Sequence, residues 1–182
     1  NWLIALFPQR SMIEIMNAMI IVKLAAASVS FAYYIAKHFH TKSCSIALFG
    51  TFYALSGFVA AYSWNIMWLD CVILVPLIML GLERLVNENK CLLYCISLGL
   101  CIFTNYYIAI MVCMAVVLYF IVLMVSYNGT RHPRIYLKKF IHWCVYSLLA
   151  GGLSACLLLP ELYTFSLSAS SDVSFPKTLS VY

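Results

Sequence analysis

The chain has 182 residues, of which 65% are hydrophobic and 9% are charged, and it carries a formal net charge of +5. Soluble domains are about 25% charged, because their surfaces must stay hydrated. The composition therefore excludes a water-soluble globular protein and predicts that most of the chain lies in lipid.

Long apolar runs dominate the chain and predict its fold class. Backbone polar groups in lipid must be hydrogen-bonded within their own segment, so these runs are predicted to be helices. A helix of about 20 residues spans a bilayer. Six candidate spans occur, at about 12–36, 44–62, 66–86, 90–104, 106–127 and 139–160. We predict one all-α, polytopic transmembrane helical bundle of about six membrane-spanning helices.

Both ends of the sequence suggest a fragment of a longer protein. The chain begins at Asn1 rather than at a methionine, and its first ten residues have no features of a signal peptide. Residues 161–182 form a polar, serine-rich stretch, which we expect to be an outer tail leading into a further region.

Lys23 lies near the middle of the first predicted span, in an otherwise apolar run. Small residues follow it at helical spacing on the same face: Ala26, Ala27 and Ser30. Such stripes mark close helix contacts, so Lys23 is predicted to point into the bundle. It then needs a partner, which is either a structural counter-charge (Glu14 or Asp70) or an anion such as a phosphate.

Two polar tips interrupt the apolar runs, "YSWN" at 62–65 and "TNYY" at 104–107. Without a turn at each tip, the runs 44–86 and 90–127 would be far longer than a bilayer is thick, at about 1.5 Å per residue. We therefore predict that the chain reverses direction at both tips and brings them to the same side of the membrane.

Charge placement supports these two reversals. With both in place, eight Lys/Arg side chains fall on one side: Lys37, Lys42, Arg84, Lys90, Arg131, Arg134, Lys138 and Lys139. Only Arg10 and Lys177 fall on the other. Basic loops remain in the cytoplasm, so these loops are predicted to be cytoplasmic and the Trp64 and Asn105 tips extracellular.

Three features lie along the spans between these tips. Asp70, about one turn inside the third span, either assists that helix N-terminus or faces an outer cavity. Pro76 is predicted to kink the same span. The fourth span, 90–104, would be about 22 Å long, which is too short to cross the membrane alone and suggests an outward-facing cavity beneath "TNYY".

The outer tips combine aromatic rings with amides. Singly, the rings resemble the aromatic belt of any membrane protein, and Asn65 and Asn105 resemble helix caps. Together, such groups suit a sugar or a polyprenyl-linked headgroup. The candidate substrate-binding set is Lys23, Trp64, Asn65, Trp68, Asp70, Asn105, Tyr106 and Tyr107.

Cysteine and histidine placement gives little indication of a metal centre. Seven of the eight cysteines lie inside apolar runs and no C-x-x-C occurs, so we expect neither disulfides nor zinc. His38 and His40 near Cys44 are weak evidence for a metal site, because no further ligand is placed beside them. We expect no cofactor, although a divalent metal stays open.

The sequence resembles the YfhO family of bacterial membrane proteins. The resemblance rests mainly on "FYALSGFVAAYSWNIMWLDCVILVPLIMLGLERLV" and "NYYIAIMVCMAVVLYF", with weaker matches at "NWLIALFP", "VKLAAASVSFAYY" and "ACLLLPELYTF". It implies a GT-C-type glycosyltransferase fold with an outward-facing active site. The implied reaction passes a sugar from a polyprenyl-phosphate carrier to a cell-envelope polymer such as lipoteichoic acid.

The resemblance also bears on the site residues. Lys23 matches the intramembrane lysine of the family, and the candidate residues of the two tips match its outer-face residues. The catalytic acid of such enzymes usually follows their first helix, which would precede Asn1, so the fragment alone is not expected to be active. Asp70 is the available candidate within the chain.

Three functional hypotheses follow. The first is a glycosyltransferase of the cell membrane, whose partners are membrane lipid, a lipid-linked sugar donor and an envelope polymer, with no nucleic acid. The second is a transporter, permease or lipid flippase in which Lys23 and Asp70 gate a polar path. The third is a non-catalytic membrane subunit whose outer aromatic residues only anchor it.

Overall fold

The computed structural model describes residues 12–127 and 133–167, and this part of the chain contains eight α-helices and no strand. The helices are α1 (Met12–His38), α2 (Ser45–Ala54), α3 (Gly57–Tyr62), α4 (Ile66–Glu88), α5 (Leu92–Thr104), α6 (Tyr106–Val125), α7 (Pro133–Leu153) and α8 (Ala155–Leu167). The predicted all-α class is confirmed. Arg10, Arg131, Lys177 and the predicted tail beyond residue 167 lie outside the described residues.

Helix length and composition limit which helices can cross a membrane. Four candidate spans among the described residues are long and apolar enough: α1, the pair α2 and α3, α4, and α6. The pair α7 and α8 forms a fifth candidate, which is bent by 74°. Helix α5 is apolar but has 13 residues, which span about 20 Å of a core about 30 Å thick. The bundle thus has four or five candidate spans beside one short helix, where the sequence predicted about six.

Helix α4 lies at the centre and packs against α1, α5 and α6. It runs antiparallel to α5, because Gly81 lies against the backbone of Tyr94 while Cys71 lies near Thr104. A Cβ atom on Gly81 would lie 2.7 Å from the Tyr94 nitrogen, so this glycine permits the close approach of the two helices. Their buried side chains, with those of α6, form the core.

Pro76 lies buried inside α4, which continues through it as one helix. Proline has no N–H, so the carbonyl of Val72, four residues earlier, loses its usual donor. The Tyr53 hydroxyl of α2 donates to that carbonyl at 2.8 Å. One residue further on, the Ser30 hydroxyl of α1 donates to the Ile73 carbonyl at 2.6 Å. The Tyr53 hydroxyl thus satisfies the carbonyl that the proline leaves without a donor.

The segment predicted as one span at 139–160 is two helices that meet at Ser154. Gly151 and Gly152 directly precede the bend, and glycine–serine sequences are common causes of sharp kinks. The buried Ser154 hydroxyl donates to the Gly99 carbonyl at 2.7 Å, which holds the bend against α5. Helix α8 then continues past Glu161, so the predicted tail begins within a helix.

Both predicted reversals occur at helix breaks, after Tyr62 and at Asn105. The structure brings these breaks to one end of the bundle, which we call the corner end. The loops at 39–44 and 89–91 lie at the opposite end with most of the described basic residues, and we call it the basic end. Which end faces the cytoplasm stays a prediction from charge placement.

Candidate functional site

Lys23 and Asp70 form an ion pair at the corner end. The Lys23 Nζ atom lies 2.6 Å from Asp70 Oδ1 and donates to the Ile66 carbonyl at 3.0 Å. The two side chains are 12% and 27% exposed. Of the partners that the sequence left open for Lys23, the structure contains Asp70.

The face of α1 explains why Lys23 points inward. Ala27 and Ser30, one and two turns further on, are buried against the bundle, and Ala26 is partly buried. Lys23 lies near the middle of α1 along the chain. Its contact with Ile66, the first residue of α4, places its ammonium group near the corner end of α4.

Asp70 lies in the second turn of α4, where its carboxylate is shared between protein and solvent. One oxygen contacts the Lys23 ammonium, and the partial exposure of the side chain leaves the remainder accessible from the corner end. A carboxylate held this way orients the lysine, and one of its oxygens is already occupied by a cation. The geometry therefore favours a structural and electrostatic role over that of a free base.

An aromatic cluster joins the two tips, and it consists of Phe58, Tyr62, Trp68 and Tyr107. Trp68 lies at its centre, with ring centroids 5.2 Å from Tyr62 and 6.4 Å from Phe58. Trp68 and Tyr107 are stacked at 6.5 Å, and this contact links the start of α4 to the start of α6. The sequence did not single out Phe58, whose spacing of four residues from Tyr62 was the available signal.

Tyr106 and Tyr107 face different sides of α6, because adjacent helical residues are about 100° apart. Tyr106 lines a mostly apolar cleft of about 380 Å³ between α5, α6 and α8. The cleft is lined by Ile102, Tyr106, Ala109, Ile110, Cys113, Leu158 and Glu161. Glu161 is its one acid, and the sequence had assigned it only to the tail. A cleft thus lies beside the "TNYY" tip, and its opening toward the outer face stays a prediction.

The two asparagines and Trp64 complete the predicted set. Asn105 caps α6, since its Oδ1 accepts from the Ile108 backbone N–H at 3.2 Å. Asn65 holds the equivalent position before α4 but makes no capping bond, so its amide stays available. Trp64 is 69% exposed and donates to the Ala61 carbonyl at 3.1 Å. It lies beside the aromatic cluster in sequence without joining it.

Of the weak metal-site candidates, His38 has a carboxylate partner. His38 Nδ1 lies 2.8 Å from Glu83, at the basic end. Within residues 12–127 and 133–167, no group of three or more His, Cys, Asp or Glu side chains is arranged to hold a metal ion. All eight cysteines are free thiols.

One comparison with known proteins identifies a family. The family model described as bacterial membrane protein YfhO matches residues 1–181, which is nearly the whole chain. No curated protein and no solved structure matches the chain.

Proposed function

Because this chain belongs to the YfhO family of bacterial membrane proteins, we propose that it is part of a membrane glycosyltransferase of the GT-C type. The proposed donor is a sugar on a polyprenyl-phosphate carrier. The proposed acceptor is a cell-envelope polymer such as lipoteichoic acid, at the outer face of the membrane. Family membership supports the general class, and the corner end supports the more specific reaction.

The observation that carries this proposal is the stacking of Trp68 on Tyr107, which joins both tips into one aromatic surface at the level of the Lys23–Asp70 pair. Broad aromatic faces suit the apolar face of a sugar ring. The Asn65 amide, which makes no capping bond, can donate to and accept from sugar hydroxyls.

Lys23 supplies the positive charge that a phosphate carrier needs. An ammonium group has three donors, and two are engaged by Asp70 and by the Ile66 carbonyl. The third is free for a phosphate oxygen, and Asp70 holds the group in place for it. The leaving phosphate gains charge as the glycosidic bond breaks, so a fixed cation beside it stabilises the transition state.

Asp70 is not proposed as the general base, because its Oδ1 contacts the Lys23 ammonium. We propose that this chain binds and orients the donor, and that an acid in an outer loop deprotonates the acceptor hydroxyl, as the resemblance to GT-C enzymes implies.

The test is sugar transfer by the purified full-length protein in lipid nanodiscs, with a polyprenyl-phosphate-linked sugar as donor. Trp68→Leu and Tyr107→Leu should each lower the transfer rate about tenfold, because one aromatic contact to the substrate is lost. Leu118→Ala is the matched control, since Leu118 lies on the outer surface of α6 and is 66% exposed.

The same preparation distinguishes the other hypotheses. Flux of ions or lipid-linked sugar without transfer would favour the transporter or flippase, for which the bend between α7 and α8 is the supporting observation. Tip variants that change only protein abundance would favour an anchoring subunit.

A further inference from the structure

Glu83 lies buried in α4 near the basic end. Three donors converge on its Oε1 atom. The Tyr34 hydroxyl donates at 3.1 Å and His38 Nδ1 lies at 2.8 Å, both from α1. The Tyr119 hydroxyl of α6 donates to the same oxygen. One carboxylate oxygen therefore joins three helices.

The second oxygen of Glu83 is left open. Among the described residues, Oε2 accepts no hydrogen bond, and no buried side-chain oxygen or nitrogen lacks a partner. Oε2 is therefore accessible, and Glu83 lines a cavity of about 480 Å³ at the basic end. Its lining residues are Lys37, His38, His40, Leu80, Glu83, Arg84, Asn87, Glu88, Lys90 and Leu123.

Among the described residues, two cations at this cavity make no direct ion pair, although Arg84 interacts electrostatically with the nearby Glu88. In the described part of the chain, neither Lys37 nor Arg84 makes an ion pair, whereas Lys90 pairs with Glu88 at 2.8 Å. Lys37 lies 5.8 Å from the Tyr33 ring. Beside the paired Lys90 and Glu88, the cavity thus contains two cations without a direct ion pair and the open oxygen of Glu83.

We propose that this cavity binds the headgroup of an anionic phospholipid that carries a free hydroxyl, such as phosphatidylglycerol. Lys37 and Arg84 contact the phosphate, and a headgroup hydroxyl donates to Glu83 Oε2. Leu80 and Leu123 on the cavity wall face the first carbons of the lipid. Basic cavities between transmembrane helices, at the depth of the headgroups, are suited to such lipids.

A simpler explanation of the basic residues is available and makes a different prediction. Lys37 lies in the last turn of α1 and Arg84 just before the last turn of α4, so both lie near the negative ends of the helix dipoles. That explanation requires no particular lipid and no open carboxylate oxygen. Selectivity for a headgroup hydroxyl therefore distinguishes the two.

The experiment measures lipid binding to the delipidated full-length protein by native mass spectrometry, with phosphatidylglycerol and with phosphatidylethanol, which has the same charge and no free hydroxyl. Phosphatidylglycerol should bind more tightly. Arg84→Gln and Lys37→Gln should each weaken its binding about tenfold, because each removes one charged hydrogen bond. Lys42→Gln is the charge-matched control, because Lys42 is exposed at the same end and does not line the cavity.

Three results would overturn the proposal. Equal binding of the two lipids would show that Glu83 Oε2 accepts no hydrogen bond from the headgroup. Equal effects of Lys42→Gln and Arg84→Gln would show that lipid binding depends only on the net charge of this end. Glycerol 1-phosphate that saturates the site as tightly as the lipid would show that the ligand is soluble. Comparing two lipids on the unaltered protein tests Glu83 without substituting it, so a folding defect cannot obscure the result.

Discussion

The Lys23 ammonium lies 2.6 Å from Asp70 Oδ1, so a single side chain of α1 holds the start of α4. Both partners are mostly withdrawn from water, and each would be left unpaired if the other were removed. The consequences can be measured at this pair and at four other positions.

Breaking the Lys23–Asp70 pair from either side should destabilise the protein. Lys23→Met and Asp70→Leu should each lower the free energy of unfolding by about 1–3 kcal/mol, because each leaves one charged partner poorly solvated. The double variant should recover most of that loss, since no charge is left unpaired. Unfolding of the purified protein in mild detergent measures all three, and strictly additive losses would contradict the pairing.

The Tyr53 hydroxyl should stabilise the protein only while Pro76 is present. Tyr53→Phe should cost about 1 kcal/mol, because the Val72 carbonyl then has no donor. In a Pro76→Ala background the same substitution should cost close to nothing, since the backbone N–H of residue 76 can bond to Val72. A double-mutant cycle of unfolding free energies measures the difference, and an equal cost in both backgrounds would disprove the compensation.

Gly81 should tolerate no side chain. Gly81→Ala places a Cβ atom 2.7 Å from the Tyr94 backbone, so α4 and α5 must separate, at a cost of about 1–3 kcal/mol. Gly151→Ala is the matched control, because a Cβ atom there meets nothing within 4 Å. Thermal unfolding of both variants should rank Gly81→Ala as clearly the less stable.

Asn105 can be tested as a cap and as a substrate contact separately. Asn105→Ala should destabilise α6 by about 1 kcal/mol, whereas Asn105→Ser keeps a capping oxygen and should leave stability nearly unchanged. If the amide also contacts the sugar, Asn105→Ser still lowers the transfer rate. Full transfer activity in the serine variant would limit Asn105 to capping.

The corner end should be accessible from outside the cell. In a background with the exposed Cys44 and Cys156 replaced by serine, Trp64→Cys should react in intact cells with a maleimide that cannot cross membranes. Lys138→Cys, at the basic end, should react only after the cells are opened. The reverse pattern would invert the predicted topology.

Local features of the sequence predicted the helices and their breaks. The apolar runs required helices, because lipid offers the backbone no hydrogen-bond partners. Polar tips at 62–65 and 104–107 predicted both reversals, which the structure contains. The small-residue face of α1 predicted that Lys23 points inward. Each inference needed only neighbouring residues.

Contacts between distant residues could not be predicted in the same way. The sequence left Lys23 with two possible acidic partners and did not single out Glu83. Predicting these contacts requires the position of each helix along its axis relative to its neighbours, which hydropathy does not encode.

The sequence by itself therefore determined that this is a helical membrane protein, and where its chain turns, because the cost of exposing backbone to lipid acts within each segment. Only the tertiary structure decided which helices meet at which level. Contacts between neighbouring helices, such as the Ser30 hydroxyl of α1 on the Ile73 carbonyl of α4, set those levels. They thereby bring Asp70 to Lys23 at one end and Glu83 to Tyr34, His38 and Tyr119 at the other.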